Sequence, residues 1–289
     1  MLNKKTKKIL HEALKKNCPN NEIAIIVFAN SRYRIILENW LICFRSVSSR
    51  PCIIVSMDNY LSKNLVGKID RNQIVEVNAP NVSDRESWLE FMRVQISVLR
   101  ACLDMGYDTL VSDIDAIWVK DALVDLNDID DDLVFSPGSF QPPEALKAWG
   151  FVLCCGFFLS RARSSVIKFY DKVFERMETE GDQPSVNKEL LSRGINWGEV
   201  NRYTLFSKGE KKIFGLNNTL KGQSKDLSIA VLPNYQFQRI VENRDKAIVV
   251  HPGAPKNPFK KALTLAKLGL WKRMDIFYLF SWIKEKIKI

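Results

Sequence analysis

Three features of the sequence predict an α/β fold with a Rossmann-like mixed central sheet flanked by helices, and with further helices at the C-terminus. Strand-sized β-rich runs alternate with segments of helical periodicity through the first half of the chain. A short strand runs directly into an acidic pair, Asp113 and Asp115. No Pro/Gly/Ser-rich linker divides the 289 residues. With 46% hydrophobic and 26% charged residues the chain is too apolar for disorder, lacks the glycine period of a fibrous protein, and is long enough to bury its own core. The expected organisation is a basic N-terminal helix over 1–21, an α/β body over 22–257 and basic amphipathic helices over 258–289.

Residues 22–29 (EIAIIVFA) form a β-rich run, 34–44 carry apolar residues at helical spacing (Ile36, Leu37, Trp40, Leu41, Phe44), and 51–57 are again β-rich. This is a βαβ opening. A strand at 74–77 precedes a long helix over 84–105, which Ser83 or Asp84 can cap and Gly106 can close. The strand 109–112 follows, so that Asp113 and Asp115 sit at its carboxyl end, where ligands bind in open α/β sheets. Runs 133–135 and 151–159 read as buried strands, 164–178 as a helix, 181–194 as a short helix, 229–232 and 247–250 as short strands, and everything from 259 onward as helix-forming.

The formal charge of +10 is carried by the chain ends. Residues 1–16 hold six lysines against one acid, residues 256–289 hold nine basic and two acidic residues, and the middle is slightly acidic. A nucleic-acid binder needs its basic face on the folded body, so nucleic acid is not an expected partner. Basic ends suit an anionic membrane surface better. No apolar run reaches the ~18–20 residues of a spanning helix, and the N-terminus has no apolar signal core. The expected location is therefore cytoplasmic, with peripheral membrane contact through the ends. The tail 271–289 mixes aromatic and basic residues and reads equally as an interfacial segment or as a terminal helix docked on the core. The six cysteines show no CxxC pair or zinc spacing, and are expected to be buried, reduced thiols.

Two aspartates two positions apart can turn toward one point, and their mutual repulsion is relieved by a cation. Solvated turn carboxylates are the plainer alternative. Of the two histidines, His11 lies in the lysine-rich N-terminal helix, while His251 follows a strand and opens His251-Pro252-Gly253-Ala254-Pro255-Lys256. Its imidazole suits a first-row metal and Lys256 suits a phosphate, although a loop with a satisfied histidine would read the same way. Asp182 and Gln183, with Asn187, set acidic and amide groups at a helix start, fit either for sugar hydroxyls or for capping. Asn30 and Tyr33, past the first strand, offer an amide and a ring either to a nucleotide or to a turn.

Taken in order, these segments resemble the nucleotide-diphospho-sugar transferases of the GT-A fold, specifically glycosyltransferase family 77 and more distantly the glycogenin-like family 8. The block 106–123 (GYDTLVSDIDAIWVKDAL) carries most of the likeness. FANSRY with Asn39-Trp40, CGFFLSR at 155–161, DQPSVN at 182–187, HPGAPK, and GLW at 269–271 extend it over residues 22–271. The sequence departs from the family pattern with Ala122 in place of a proline, with Cys155 before the glycine of its strand, and with a shorter spacing between His251 and Lys256.

The resemblance implies a metal-dependent glycosyltransferase that moves a hexose or pentose from a nucleotide-sugar donor, UDP-linked, to a glycan or lipid-linked acceptor with retention. It implies Asp113, Asp115 and His251 as ligands of Mn2+ or Mg2+, with Asp113 also touching the donor ribose. Lys256 and Arg93 would hold the diphosphate, Tyr33 would stack on uracil beside Asn30, and Asp182 and Gln183 would bind the transferred sugar. Two other classes compete. A phosphatase of the haloacid-dehalogenase type also places DxD after a strand, but normally after the first strand of its domain. A non-catalytic sugar- or membrane-binding protein could share the fold, but the joint presence of Asp113, Asp115, His251 and Lys256 argues against it.

Overall fold

The computed structural model describes residues 2–19, 22–80, 82–208, 211–241, 243–253 and 255–273. The chain opens with α1 (Lys4–Asn17), whose Asn3 side chain accepts from the Thr6 amide as an N-cap. β1 (Ala24–Ala29), α2 (Arg34–Arg45), β2 (Ile53–Ser56), α3 (Asn59–Leu65) and β3 (Ile74–Glu76) then build a parallel three-stranded unit. Next come α4 (Arg85–Asp104), β4 (Thr109–Ser112), β5 (Ile117–Trp118), α5 (Leu123–Leu126), β6 (Leu133–Pro137), α6 (Pro143–Trp149) and β7 (Leu153–Ser160). α7 (Ser164–Arg176), α8 (Asp182–Ser192), β8 (Asn196–Trp197), β9 (Arg202–Lys208), β10 (Lys211–Leu216), β11 (Leu220–Gln223), β12 (Ser228–Val231), β13 (Phe237–Gln238), β14 (Val249–Val250) and α9 (Pro258–Lys267) complete the described elements.

The main sheet has the order β3-β2-β1-β4-β7-β6-β12-β11-β8. β3, β2, β1 and β4 are parallel, β7 is antiparallel to both β4 and β6, and β12 runs parallel to β6. Both faces are covered, and β1 records this by alternation. Ala24, Ile26 and Phe28 point into one apolar layer with α1, α4 and α7, while Ile25, Val27 and Ala29 point into the other with α2 and α9. A strand buried on both faces is nearly all apolar, which is why AIIVFA reads as a continuous run.

The long helix α4 begins as the sequence predicts, with Asp84 accepting from the Ser87 amide and the Ser87 Oγ accepting from the Asp84 amide. Gly106, at φ +84°, closes it. All six cysteines are free and buried. Among the described residues no helix is long and apolar enough to cross a membrane. The tail beyond Arg273 lies outside the described residues.

The structure differs from the sequence reading in the second half. Between the helix read at 181–194 and the strand read at 229–232, where the sequence marks no element, the chain holds the β9–β10 hairpin and β11. These strands lie apart from the main sheet or toward its edge, so they lack the apolar continuity that marks β1. The late strand 247–250 contracts to β14, which belongs to a second sheet ordered β13-β14-β5.

That small sheet positions the site. β14 runs antiparallel to β5, with Val249 opposite Trp118 and Val250 opposite Ile117. Trp118 is fully buried in a ladder of rings, 5.0 Å from Phe44 and 5.8 Å from Phe157, and Phe44 stacks on Trp40 at 4.8 Å. Replacing Trp118 with alanine would empty the centre of this ladder and is expected to cost ~3–5 kcal/mol, read as a lowered denaturant midpoint.

Candidate active site

Asp113, Ile114 and Asp115 form the turn that follows β4. Three contacts from different parts of the chain fix its shape. The Asp113 amide donates to the Gly156 carbonyl at 2.7 Å, the Trp40 indole donates to the Ala116 carbonyl at 2.9 Å, and the Trp118 indole donates to the Ser112 hydroxyl at 3.2 Å. Two separated elements of the sequence pattern, the tryptophan of Asn39-Trp40 and the one three residues after Asp115, therefore serve one purpose. They brace the acidic turn from either side.

Because β14 pairs with β5, His251 emerges beside this turn. Its Nε2 lies 3.6 Å from Asp113 Oδ2 and 3.5 Å from Asp115 Oδ1. One ligand atom from each of the three residues lies within 4.8 Å of the others. Gly156 on β7 leaves the space for this approach, since a Cβ there would sit 2.1 Å from His251 Cε1 and 2.6 Å from Asp113 Oδ2. The other imidazole nitrogen, Nδ1, faces Cys154 Sγ at 3.6 Å, and Arg239 donates to the His251 carbonyl at 3.1 Å. The donor set, two carboxylate oxygens and one imidazole nitrogen converging on one point, fits a divalent cation.

The electrostatics follow from this crowding. Desolvation among its packed neighbours, although the side chain is only partly buried, pushes the Asp113 carboxyl up, opposed by His251 and reinforced by the Asp115 charge. Asp115 is also desolvated, yet His251 and Lys261 outweigh that cost and hold it below the usual carboxylate range. The His251 imidazole pays for burial and for nearby Arg239, but Asp115 more than compensates and lifts it to about 9. Lys261, on α9, reaches Asp115 Oδ2 at 2.5 Å.

The turn floors a cavity of about 540 Å³. Its walls carry Asn30 and Tyr33 from the segment after β1, Trp88, Phe91, Met92 and Gln95 from α4, and Lys256 and Lys261 from the chain after His251. β1 and β4 are parallel neighbours, so the segments past both strands open on the same edge of the sheet. The Asn30 Oδ1 is buried without a hydrogen-bond partner among the described residues. Tyr33 donates its hydroxyl to the Lys256 carbonyl, and the Lys256 ammonium lies 4.8 Å from the Trp88 ring centroid. Asp182 lines a small adjoining cavity together with Asp113, Gln95 and Cys155, and its carboxyl is pushed up to about 7 by desolvation and by the Asp113 charge.

Asn30, Tyr33, Asp113, Asp115, His251 and Lys256 are thus drawn together, with Asp182 next to them. Gln183 bridges the rim, its amide oxygen accepting from the Cys155 amide at 3.4 Å and its nitrogen donating to the Gln141 carbonyl at 2.7 Å. The capping alternative for Asp182 is corrected, since Gly181 is the N-cap of α8 and Asp182 is its first residue. Arg93 is also corrected. Its guanidinium packs on the Phe174 ring at 4.1 Å and it does not line the cavity. The helical repeat turns Trp88, Met92 and Gln95 toward the cavity and Arg93 toward α7. Lys261 and Trp88 escaped the sequence reading. The spacing of Lys261 four residues before the buried Leu265 is the signal that places both on the inner side of α9.

The family model for nucleotide-diphospho-sugar transferases matches residues 49–259. The chain belongs to that family. The match is to the family as a whole and does not single out glycosyltransferase family 77. No curated protein sequence matches the chain. Among solved structures it is similar to the glycosyltransferase GlyE of Streptococcus pneumoniae, with 13% identity over 91% of this chain and 64% of that one at a TM-score of 0.52. It is also similar to the bifunctional glycosyltransferase WbbM, with 10% identity over 90% of this chain and 51% of that one at a TM-score of 0.52. The chain therefore spans less than two thirds of either neighbour. At these identities the likeness is one of fold, and that fold is GT-A. The family also separates the chain from haloacid-dehalogenase-type phosphatases, in keeping with an acidic turn that follows the fourth strand rather than the first.

A cation bound at His251 Nε2 must displace the proton that Asp115 stabilises there. Below about 9 the apparent Mn2+ affinity is therefore expected to rise ~10-fold per pH unit, and above it to level off. Calorimetric titration across this range, with proton release followed in two buffers, checks the sign and the midpoint.

Proposed function

We propose that this transferase moves a hexose or pentose from a UDP-linked sugar to a glycan or lipid-linked acceptor, with Mn2+ or Mg2+ held by Asp113, Asp115 and His251. The observation that carries the reading is the convergence of these three residues, with Asp113 and Asp115 on the floor of a cavity whose walls hold Tyr33, Asn30 and Lys256 and His251 behind them. A bound cation supplies Lewis-acid stabilisation of the charge that develops on the departing nucleoside diphosphate.

The chain's own side chains do the rest. Tyr33 offers a ring face to uracil, and the unpartnered Asn30 Oδ1 offers an acceptor beside it. Asp113, which is 47% exposed toward the cavity, has an oxygen available to the donor ribose. Lys256, released from the Trp88 ring, would turn its ammonium to the diphosphate. Asp182 and Gln183 flank the position of the transferred sugar. As positive charge builds at the anomeric carbon, ionisation of Asp182 near neutral pH becomes more favourable and stabilises it from the protein side. Retention of configuration needs no general base on the opposite face of the sugar, and none is assigned. An anionic membrane surface, contacted by the basic ends, would bring the enzyme to a lipid-linked acceptor.

With a panel of nucleotide sugars and Mn2+, slow donor hydrolysis without acceptor is expected for the UDP-linked members. Asp115→Asn should lower it by roughly 100-fold or more while leaving the circular-dichroism spectrum unchanged. Turnover equal to that of the wild type in this variant would overturn the site.

A further inference from the structure

We infer that Lys261 is a second built-in cation of the donor site, one that weakens binding of the bare metal ion and strengthens binding of the metal together with a diphosphate. The inference rests on the donor-site reading above and extends it to a residue outside the resemblance.

Lys261 extends from α9, its side chain only 16% exposed, and pairs with Asp115 Oδ2 at 2.5 Å. The other oxygen, Oδ1, is the one that faces His251 Nε2. The ammonium and the metal position thus lie on opposite oxygens of one carboxylate, so the lysine need not leave when a cation enters. It lines the cavity and lies 5.9 Å from the Tyr33 ring centroid, on the side where a donor would enter.

Charge balance gives this placement a consequence. The charged residues lining the cavity are Arg32, Asp58, Asp113, Asp115, Lys256 and Lys261. Arg32 and Asp58 offset one another, and Asp58 is already engaged by the Ser31 and Leu61 amides. The two remaining aspartates are then balanced by the two lysines, and the protonated His251 imidazole beside them adds one positive charge that a bound cation replaces. A divalent cation in place of the His251 proton leaves two positive charges in excess in a partly desolvated site, and a diphosphate diester alone leaves one negative charge. The set is neutral when both are present. Like-charge repulsion from Lys261 opposes the bare ion, and the same charge attracts the anion.

The test is calorimetric titration near neutral pH of wild type, Lys261→Met and Lys261→Arg, first with Mn2+ alone and then with UDP at saturating Mn2+. Methionine keeps the unbranched stem of lysine and removes its charge. Lys261→Met is expected to bind Mn2+ alone roughly 10-fold tighter and UDP roughly 10-fold more weakly, while Lys261→Arg stays within about 3-fold of wild type for both. A merely structural ion pair would weaken both ligands together and lower the melting temperature. Lys261→Met binding Mn2+ no tighter than wild type would overturn the inference, and Lys261→Gln serves the same comparison if the methionine variant fails to fold. Wild-type protein that binds Mn2+ but no UDP would instead overturn the donor reading, leaving the Mn2+ comparison to judge Lys261.

Discussion

A two-residue antiparallel pairing, β5 against β14, is the constraint on which the site depends. It holds an imidazole against two carboxylates supplied from a distant part of the chain, and it does so with few backbone hydrogen bonds of its own. The pairing persists because it is packed rather than because it is long. Trp118 anchors it in the aromatic ladder with Phe44, Phe157 and Trp40, and Gly156 removes the one side chain that would push His251 away. Packing and chemistry meet at the same residues, so a change in the ladder is felt at the carboxylates.

The parallel half of the sheet was legible from sequence because strands buried on both faces are continuous apolar runs, as β1 and β2 are. The acidic turn was legible because it follows such a strand at the edge where ligands bind, and His251 because it follows the apolar run 247–250, of which only β14 is strand. The strands β8, β9 and β11 were not, since β8 is only two residues long and β9 and β11 mix polar with apolar residues. Arg93 illustrates a different limit. Its place on α4 could be read, but the helical phase that turns it to Phe174 is set by what packs against α4. Lys261 was one of nine basic residues near the C-terminus; its spacing to Leu265 separates it from its exposed neighbour Lys260, but its pairing with Asp115 could not be read from sequence.

Desolvation sets the electrostatics of the site. Two carboxylates beside an imidazole would be unremarkable in water, but here their charges are coupled strongly enough to separate Asp113 from Asp115 and to keep the His251 imidazole protonated at neutral pH. At His251 Nε2 a proton and a metal ion are alternatives, while Lys261 holds the other oxygen of Asp115. On the proposed reading, a glycosyl transfer that releases a nucleoside diphosphate would draw on the same arrangement, because the charge that develops would fall next to groups already arranged to receive it.

The most direct test of this account is the anomalous-scattering density of crystals grown with Mn2+ and UDP. The account requires one ion bonded to carboxylate oxygens of both Asp113 and Asp115 and to His251 Nε2, with the diphosphate on its open side toward Lys256. An ion bound elsewhere, or bound to the aspartates with His251 turned away, would contradict it.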